Sequence, residues 1–170
     1  MGNFERTALD VIKSRHSSRQ FTEEPVSRTQ LEMIVDAGRL AATARNVQPW
    51  HFVVVTNRAK LRELGNITDH GKFIGDAAAC IVVLCEDTKY YLEDGSAAVE
   101  NLLLAAEAMN LATCWVAGDK KPYAEAILKA INAPVGEMKL IALVAVGHEA
   151  ERPLRAVKKP IDQVLHWESF

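Results

Sequence analysis

The sequence predicts an α/β domain, a sheet packed between helices. Two short apolar runs, residues 52–56 and 79–85, read as buried strands. A stretch rich in Ala, Leu and Glu over residues 96–109 has the composition of a helix. After two or three N-terminal helices, strand-like and helix-like segments alternate, and a sheet flanked by helices is the packing that buries both.

The elements follow in order. Phe4, Ala8, Val11 and Ile12 fall on one helical stripe, and that helix is expected to stop near Arg15. Ser27 followed by Gln30 has capping-box form and starts a second helix. Leu31, Ile34, Val35 and Gly38 give it an apolar face running toward Leu40. Residues 52–56 form the first strand. Asn57 caps a short helix with Leu61 and Leu64 inward and Gly65 as its C-terminal stop. Residues 79–85 form the second strand, and a small connection over 86–95 carries Tyr90 and Tyr91. The helix over 96–109 is apolar almost all round, so it is buried within the domain or between subunits. Asn110 takes the left-handed position that ends it. Residues 113–117 make a short strand, a helix over 123–131 follows Pro122, and a central-type strand over 140–146 ends at Gly147.

The tail, residues 149–170, differs in character. Arg152, Arg155, Lys158 and Lys159 make its middle basic, and Pro153 and Pro160 block a long helix. Val164, Leu165, Trp167 and Phe170 supply apolar anchors. The pattern predicts a strap lying on another surface, such as a second subunit.

A length of 170 residues suits one domain with a sizeable core. With 49% hydrophobic and 25% charged residues, the composition is that of a soluble globular protein. A formal charge of -2 makes no case for nucleic-acid or anionic-membrane binding. No apolar run approaches the roughly 20 residues that span a bilayer, and the first residues lack an apolar signal region. Cys80, Cys85 and Cys114 are odd in number and have no CxxC spacing, which argues against a disulfide framework or a zinc site. They are expected to be buried, reduced thiols in a cytoplasmic protein.

The chain carries no GxSxG, HExxH, Walker or GxGxxG element, and its five histidines are scattered. A chain without its own nucleophile and base delegates chemistry to a cofactor. Two segments invite one. Ser14, Arg15, His16, Ser17, Ser18 and Arg19 gather two guanidiniums, an imidazole and hydroxyls just after an amphipathic helix. Guanidinium forks bind phosphate oxygens in pairs, although the same residues also suit a solvated helix C-terminus. Residues 42–50 form a polar turn closed by Pro49 and Trp50, which alone reads as a helix-to-strand loop.

In this order and spacing the motifs resemble the nitroreductase family, dimeric FMN-dependent NAD(P)H oxidoreductases. The resemblance spans roughly residues 4–165. It implies an α+β fold with a central, mostly antiparallel sheet flanked by helices, in an intertwined homodimer. It also implies one FMN-binding domain over 1–170 with 149–170 as a C-terminal strap. Arg15, His16, Ser17 and Arg19 would bind the FMN phosphate, the ribityl chain and the flavin edge, with Arg15 serving the N1/O2 side. Ala42, Thr43 and Ala44 stand where the family has Pro-Ser-Ser, while Asn46, Gln48, Pro49 and Trp50 keep its pattern. That loop is implied to meet the flavin from the other subunit, through Thr43, Asn46 and backbone N–H groups. Ala117 and Gly118 would lie beside flavin N5, where Gly118 permits close backbone approach. Arg155, Lys158 and Lys159 are the implied C-terminal phosphate contacts. The connection over 86–95 is small for the family, so Tyr90 and Tyr91 would line a lightly covered flavin face. The implied reaction is ping-pong hydride transfer from NADH or NADPH to a small-molecule acceptor: a nitroaromatic, a quinone or a flavin. Two other readings are a specialised member of the fold, of dehalogenase or flavin-destructase type, and a flavin-binding redox sensor with little turnover.

Overall fold

The computed structural model describes residues 6–154 and 156–170. Four strands form one sheet: β1 (Trp50–Val55), β2 (Ala79–Glu86), β3 (Ala112–Ala117) and β4 (Met138–Gly147). Their order is β1-β2-β4-β3, and each neighbouring pair is antiparallel. Five helices accompany them: α1 (Ala8–Ser14), α2 (Arg28–Arg39), α3 (Arg58–Ile67), α4 (Tyr91–Ala108) and α5 (Ala124–Ala130).

The two-residue period of β2 explains the layers. Ile81, Val83 and Cys85 pack with Ile34 of α2 and Val99 and Leu102 of α4. Cys80, Val82 and Leu84 point the other way, to Leu61 and Leu64 of α3 and Ile127 of α5. The sheet is thus sandwiched between two helical layers. Full burial of such side chains stabilises the fold by about 1.5–3 kcal/mol each. Gly38 lets α2 approach α4 closely, since a Cβ there would lie 2.6 Å from Leu102 Cδ2.

Several predicted features are present. The Ser27–Gln30 capping box starts α2, and Asn110 follows α4 with φ 58°. The three cysteines are buried and free. Burial pushes the Cys80 and Cys85 thiols up to about 12, so neither is a reactive thiolate. No helix among the described residues is long and apolar enough to cross a membrane.

Four expectations need correction. Of the first helical stripe only Val11 is buried, Ile12 is exposed, and Phe4 lies outside the described residues. The strand expected over 52–56 starts at Trp50 and is an edge strand rather than a buried one, because among the described residues only β2 pairs with it. Gly65 does not stop α3; it sits inside the helix, where a Cβ would lie 3.1 Å from the Gly71 carbonyl oxygen. Finally, α4 begins at Tyr91 instead of residue 96. Glu93 and Asp94 occupy its first turn, where the helix dipole favours acids. Residues 91–95 therefore belong to the helix and not to a covering loop.

Candidate functional site

The basic segment begins where α1 ends. Arg15 caps α1 by donating its N–H to the Val11 carbonyl, and the chain then turns extended. Ser17 bridges Thr113 at the start of β3, and the Ser18 N–H donates to the Thr113 carbonyl at 2.9 Å. Beyond Arg19, the Thr22 N–H donates to the His148 carbonyl at 2.9 Å, and the Ala150 N–H donates to the Gln20 carbonyl at 3.0 Å. The segment is therefore stitched between the β3 edge and the origin of the C-terminal tail.

Those backbone bonds aim the cationic side chains at one place. A cavity of about 560 Å³ is lined by Arg15, His16, Ser17, Arg19, Pro153 and Lys158, among others. Lys13, Arg15, Arg19 and Lys158 with the Ser17 hydroxyl form a donor set that fits a phosphate monoester, and His16, whose two ring nitrogens face protein acceptors, adds charge rather than a donor. Arg15 is only loosely engaged elsewhere, its Nε lying 3.7 Å from Glu100 Oε1. Lys159 is exposed and does not line this cavity. Arg155 lies outside the described residues.

His16 is held from both sides. Its Nδ1 lies 3.0 Å from the Ser14 carbonyl oxygen and its Nε2 lies 2.7 Å from Glu149 Oε1. Both partners are acceptors, so both ring nitrogens donate only in the imidazolium. Burial alone lowers the pKa, but the Ser14 carbonyl and Glu149 outweigh it, Glu107 adds to them, and the net result lies above 6.5. A raised native pKa makes the stabilising contribution complete below about pH 6.5 and removes it as pH rises through the native value. An NMR titration is expected to place His16 above 6.5 in the native chain and lower in Glu149→Gln. Identical midpoints in the two proteins would contradict the pairing.

Arg19 lies 5.9 Å over the Phe73 ring. It also borders a cavity of about 140 Å³ with His70, Trp115, Ala117, Lys121 and Tyr123. Ala117 is thus brought to the cationic segment. Gly118 is not part of that wall. Its N–H donates to the Ile141 carbonyl at 3.0 Å, and a Cβ would lie 2.5 Å from Leu140 Cγ. The close approach that requires glycine here is to β4.

Residues 42–48 make a separate station. Ala44–Asn46 is a single 3-10 turn, and Arg45, Asn46 and Gln48 have φ of 56°, 57° and 55°. Left-handed backbone costs about 1–2 kcal/mol per non-Gly residue, so something must hold it. Asp94 does so. Its Oδ2 accepts from the Thr43 hydroxyl at 2.8 Å and its Oδ1 from the Ala44 N–H at 2.9 Å. The Thr43 hydroxyl in turn accepts from the Gln48 N–H at 3.0 Å. Ala42 and Asn46 are exposed. Tyr90 sits just before α4, and the Tyr91 hydroxyl donates to Asp119 Oδ1 at 2.8 Å.

The two stations are far apart in one chain. Thr113, beside Ser17, pairs with Val146 near the end of β4 on one edge of the sheet. Trp50, which follows the loop, is on the opposite edge, across Cys85 from Lys139 near the β4 start. Strand spacing and rise put these corners on the order of 25 Å apart.

Asp94, Glu149 and Phe73 were missed by sequence reasoning. Asp94 carried one faint signal, an acidic pair ahead of an apolar helix. Glu149 and Phe73 carried none, because their partners are distant in sequence. A larger cavity of about 650 Å³ lies elsewhere, between α2 and the β1 edge, over Val26, Leu31, Val35 and Val54. The charges on its rim pair with one another, Arg28 with Glu32 and Arg39 with Asp36, so it offers no free anion site.

The sequence profile of the Nitroreductase family matches residues 12–86 and 68–148. A relative from Archaeoglobus fulgidus, provisionally named NADH dehydrogenase/NAD(P)H nitroreductase, is 36% identical over 115 residues, 64% of this chain and 66% of that protein. A solved structure from Bacteroides thetaiotaomicron, with the same provisional name, superposes with a TM-score of 0.90 at 28% identity, covering 100% of both chains. A provisionally named nitroreductase from Desulfovibrio desulfuricans, solved in complex with FMN, gives a TM-score of 0.87 at 28% identity, covering 98% of this chain and 99% of that one.

Proposed function

The chain belongs to the nitroreductase family, and on that premise we propose that it is an FMN-dependent oxidoreductase that takes reducing equivalents from NADH or NADPH. The observation that carries this reading is the cationic cavity. Arg15, His16, Ser17 and Arg19 face Lys158 of the tail across a space that suits a terminal phosphate. FMN presents such a phosphate. FAD buries its phosphates within a dinucleotide, and the chain lacks the Gly-rich dinucleotide fingerprint.

The flavin would supply hydride uptake at N5 and delivery to a nitroaromatic, quinone or flavin acceptor in a ping-pong cycle. The protein's share would be to hold the phosphate with Arg15, Arg19 and Lys158 and to place Ala117 and Trp115 beside the ring. The acceptor would enter over a lightly covered face, since only residues 87–90 separate β2 from α4.

The functional unit is proposed to be a homodimer of single-domain chains. The basic segment and the 42–48 loop lie too far apart to meet one flavin within a chain, on the order of 25 Å by strand geometry. A second copy would bring its loop to the first chain's cavity, and the tail, residues 149–170, would strap across it. Heat-released cofactor is expected to run as FMN on chromatography. Release of FAD, or of no flavin from protein reconstituted with FMN, would overturn the assignment.

A further inference from the structure

Asp94 holds the loop that the reading above places against the flavin, and we propose that Asp94 and Thr43 form a positioning pair for the cofactor, with Thr43 acting through the loop and not as a direct ligand. This rests on that reading. The carboxylate is 5% exposed at the start of α4. Among the described residues no Lys, Arg or His forms an ion pair with it. It is held by the loop's donors and by the positive end of the helix dipole.

A buried carboxylate without a cation is costly to keep, and a neutral amide would fill the same space. What the carboxylate adds is grip on both ends of a strained turn. One oxygen takes the Ala44 N–H, where the turn begins. The other takes the Thr43 proton, which orients the Thr43 oxygen to receive the Gln48 N–H, where the turn ends. Between those points stand the left-handed residues Arg45 and Asn46. Such backbone persists only where its surroundings over-determine it. The Thr43 proton is committed to Asp94, so the hydroxyl has none to donate to a flavin oxygen or nitrogen. Asn46, exposed at the crest, is the side chain the pair presents.

The test is a cycle in the full-length chain: Asp94→Leu, Asp94→Asn, Thr43→Val and the double variant Thr43→Val/Asp94→Leu. The readouts are the FMN dissociation constant, the visible circular dichroism of the bound flavin, and amide hydrogen exchange at Ala44 and Gln48 without flavin. Asp94→Leu and Thr43→Val are each expected to weaken FMN about tenfold and to change the flavin dichroism. The double variant is expected to lose no more than Asp94→Leu alone. Asp94→Asn keeps an oxygen for the Ala44 N–H and should recover most of the loss. An equal loss from Thr43→Val in both backgrounds would make Thr43 a direct ligand and overturn the proposal, as would native FMN affinity in Asp94→Leu. If Asp94→Leu does not fold, Asp94→Ala replaces it in the cycle with the same two outcomes. If the native chain binds no FMN, the functional reading falls, and exchange still decides the clamp. Protection at Gln48 that is lost in Thr43→Val supports it, and unchanged protection overturns it.

Discussion

Replacing Arg15 by alanine is expected to weaken FMN binding roughly tenfold to hundredfold, because a charge-assisted hydrogen bond contributes about 1.5–3 kcal/mol. The guanidinium is well placed for that loss to be specific. Its side chain is 21% exposed, so a phosphate contact there is partly shielded from water, and among the described residues its one ion pair is the 3.7 Å approach to half-exposed Glu100. Little of the fold depends on it, since the Arg15 backbone caps α1 whatever the side chain. Arg28 is the control. It lies on α2 with 91% side-chain exposure, paired with Glu32 across one helical turn. Flavin fluorescence titrations of Arg15→Ala and Arg28→Ala check the claim. Native affinity in Arg15→Ala would remove the principal cofactor residue, and equal losses in both would show that the effect is not local.

Truncation after Ala150 is expected to abolish the dimer and release the flavin. The tail leaves the domain with its apolar side chains uncovered: Leu154, Val157 and Phe170 are 97–106% exposed, and Trp167 is 77% exposed. Neither core cluster includes a residue beyond Val146, so the cut leaves the domain's own interior intact. Obligate interfaces often exceed about 2,000 Å², and a strap with four large apolar anchors is a substantial share of one. Light scattering across a dilution series, with flavin fluorescence in parallel, reads both losses. Lys158→Ala separates the two effects, since it removes a cation from the cavity and leaves the anchors in place. A truncated chain that stays dimeric, or a monomer that keeps tightly bound flavin, would contradict the shared site.

Local chemistry made much of this legible in the sequence. The Ser27–Gln30 box fixed the start of α2 because a cap is a four-residue event. Asn110 was legible because few residues tolerate φ of 58°. The β2 run was readable as buried because both faces of a central strand are covered. The misses are questions of partnership. β1 is an apolar run much as β2 is, yet it is an edge, and strand order is not written in either segment. Gly65 reads as a helix stop until Gly71 and Lys72 are seen packed against it.

The candidate site divides in the same way. Arg15, His16, Ser17 and Arg19 fall within five consecutive residues, so their cluster was visible. What each does depends on residues far along the chain: Glu149 lies 133 positions from His16, and Asp94 lies 51 from Thr43. Gly118 was read as making room for a ligand, and the structure gives it a packing role as well, since a Cβ would meet Leu140.

The most direct measurement is the absorbance of the purified, FMN-loaded protein under anaerobic conditions, titrated with NADH and with NADPH. If the cationic cavity holds a working flavin, at least one nicotinamide will bleach the flavin band within turnover times, and a nitroaromatic or quinone will restore it. A bound flavin that neither nicotinamide reduces would contradict an oxidoreductase role and leave a flavin-binding module in its place.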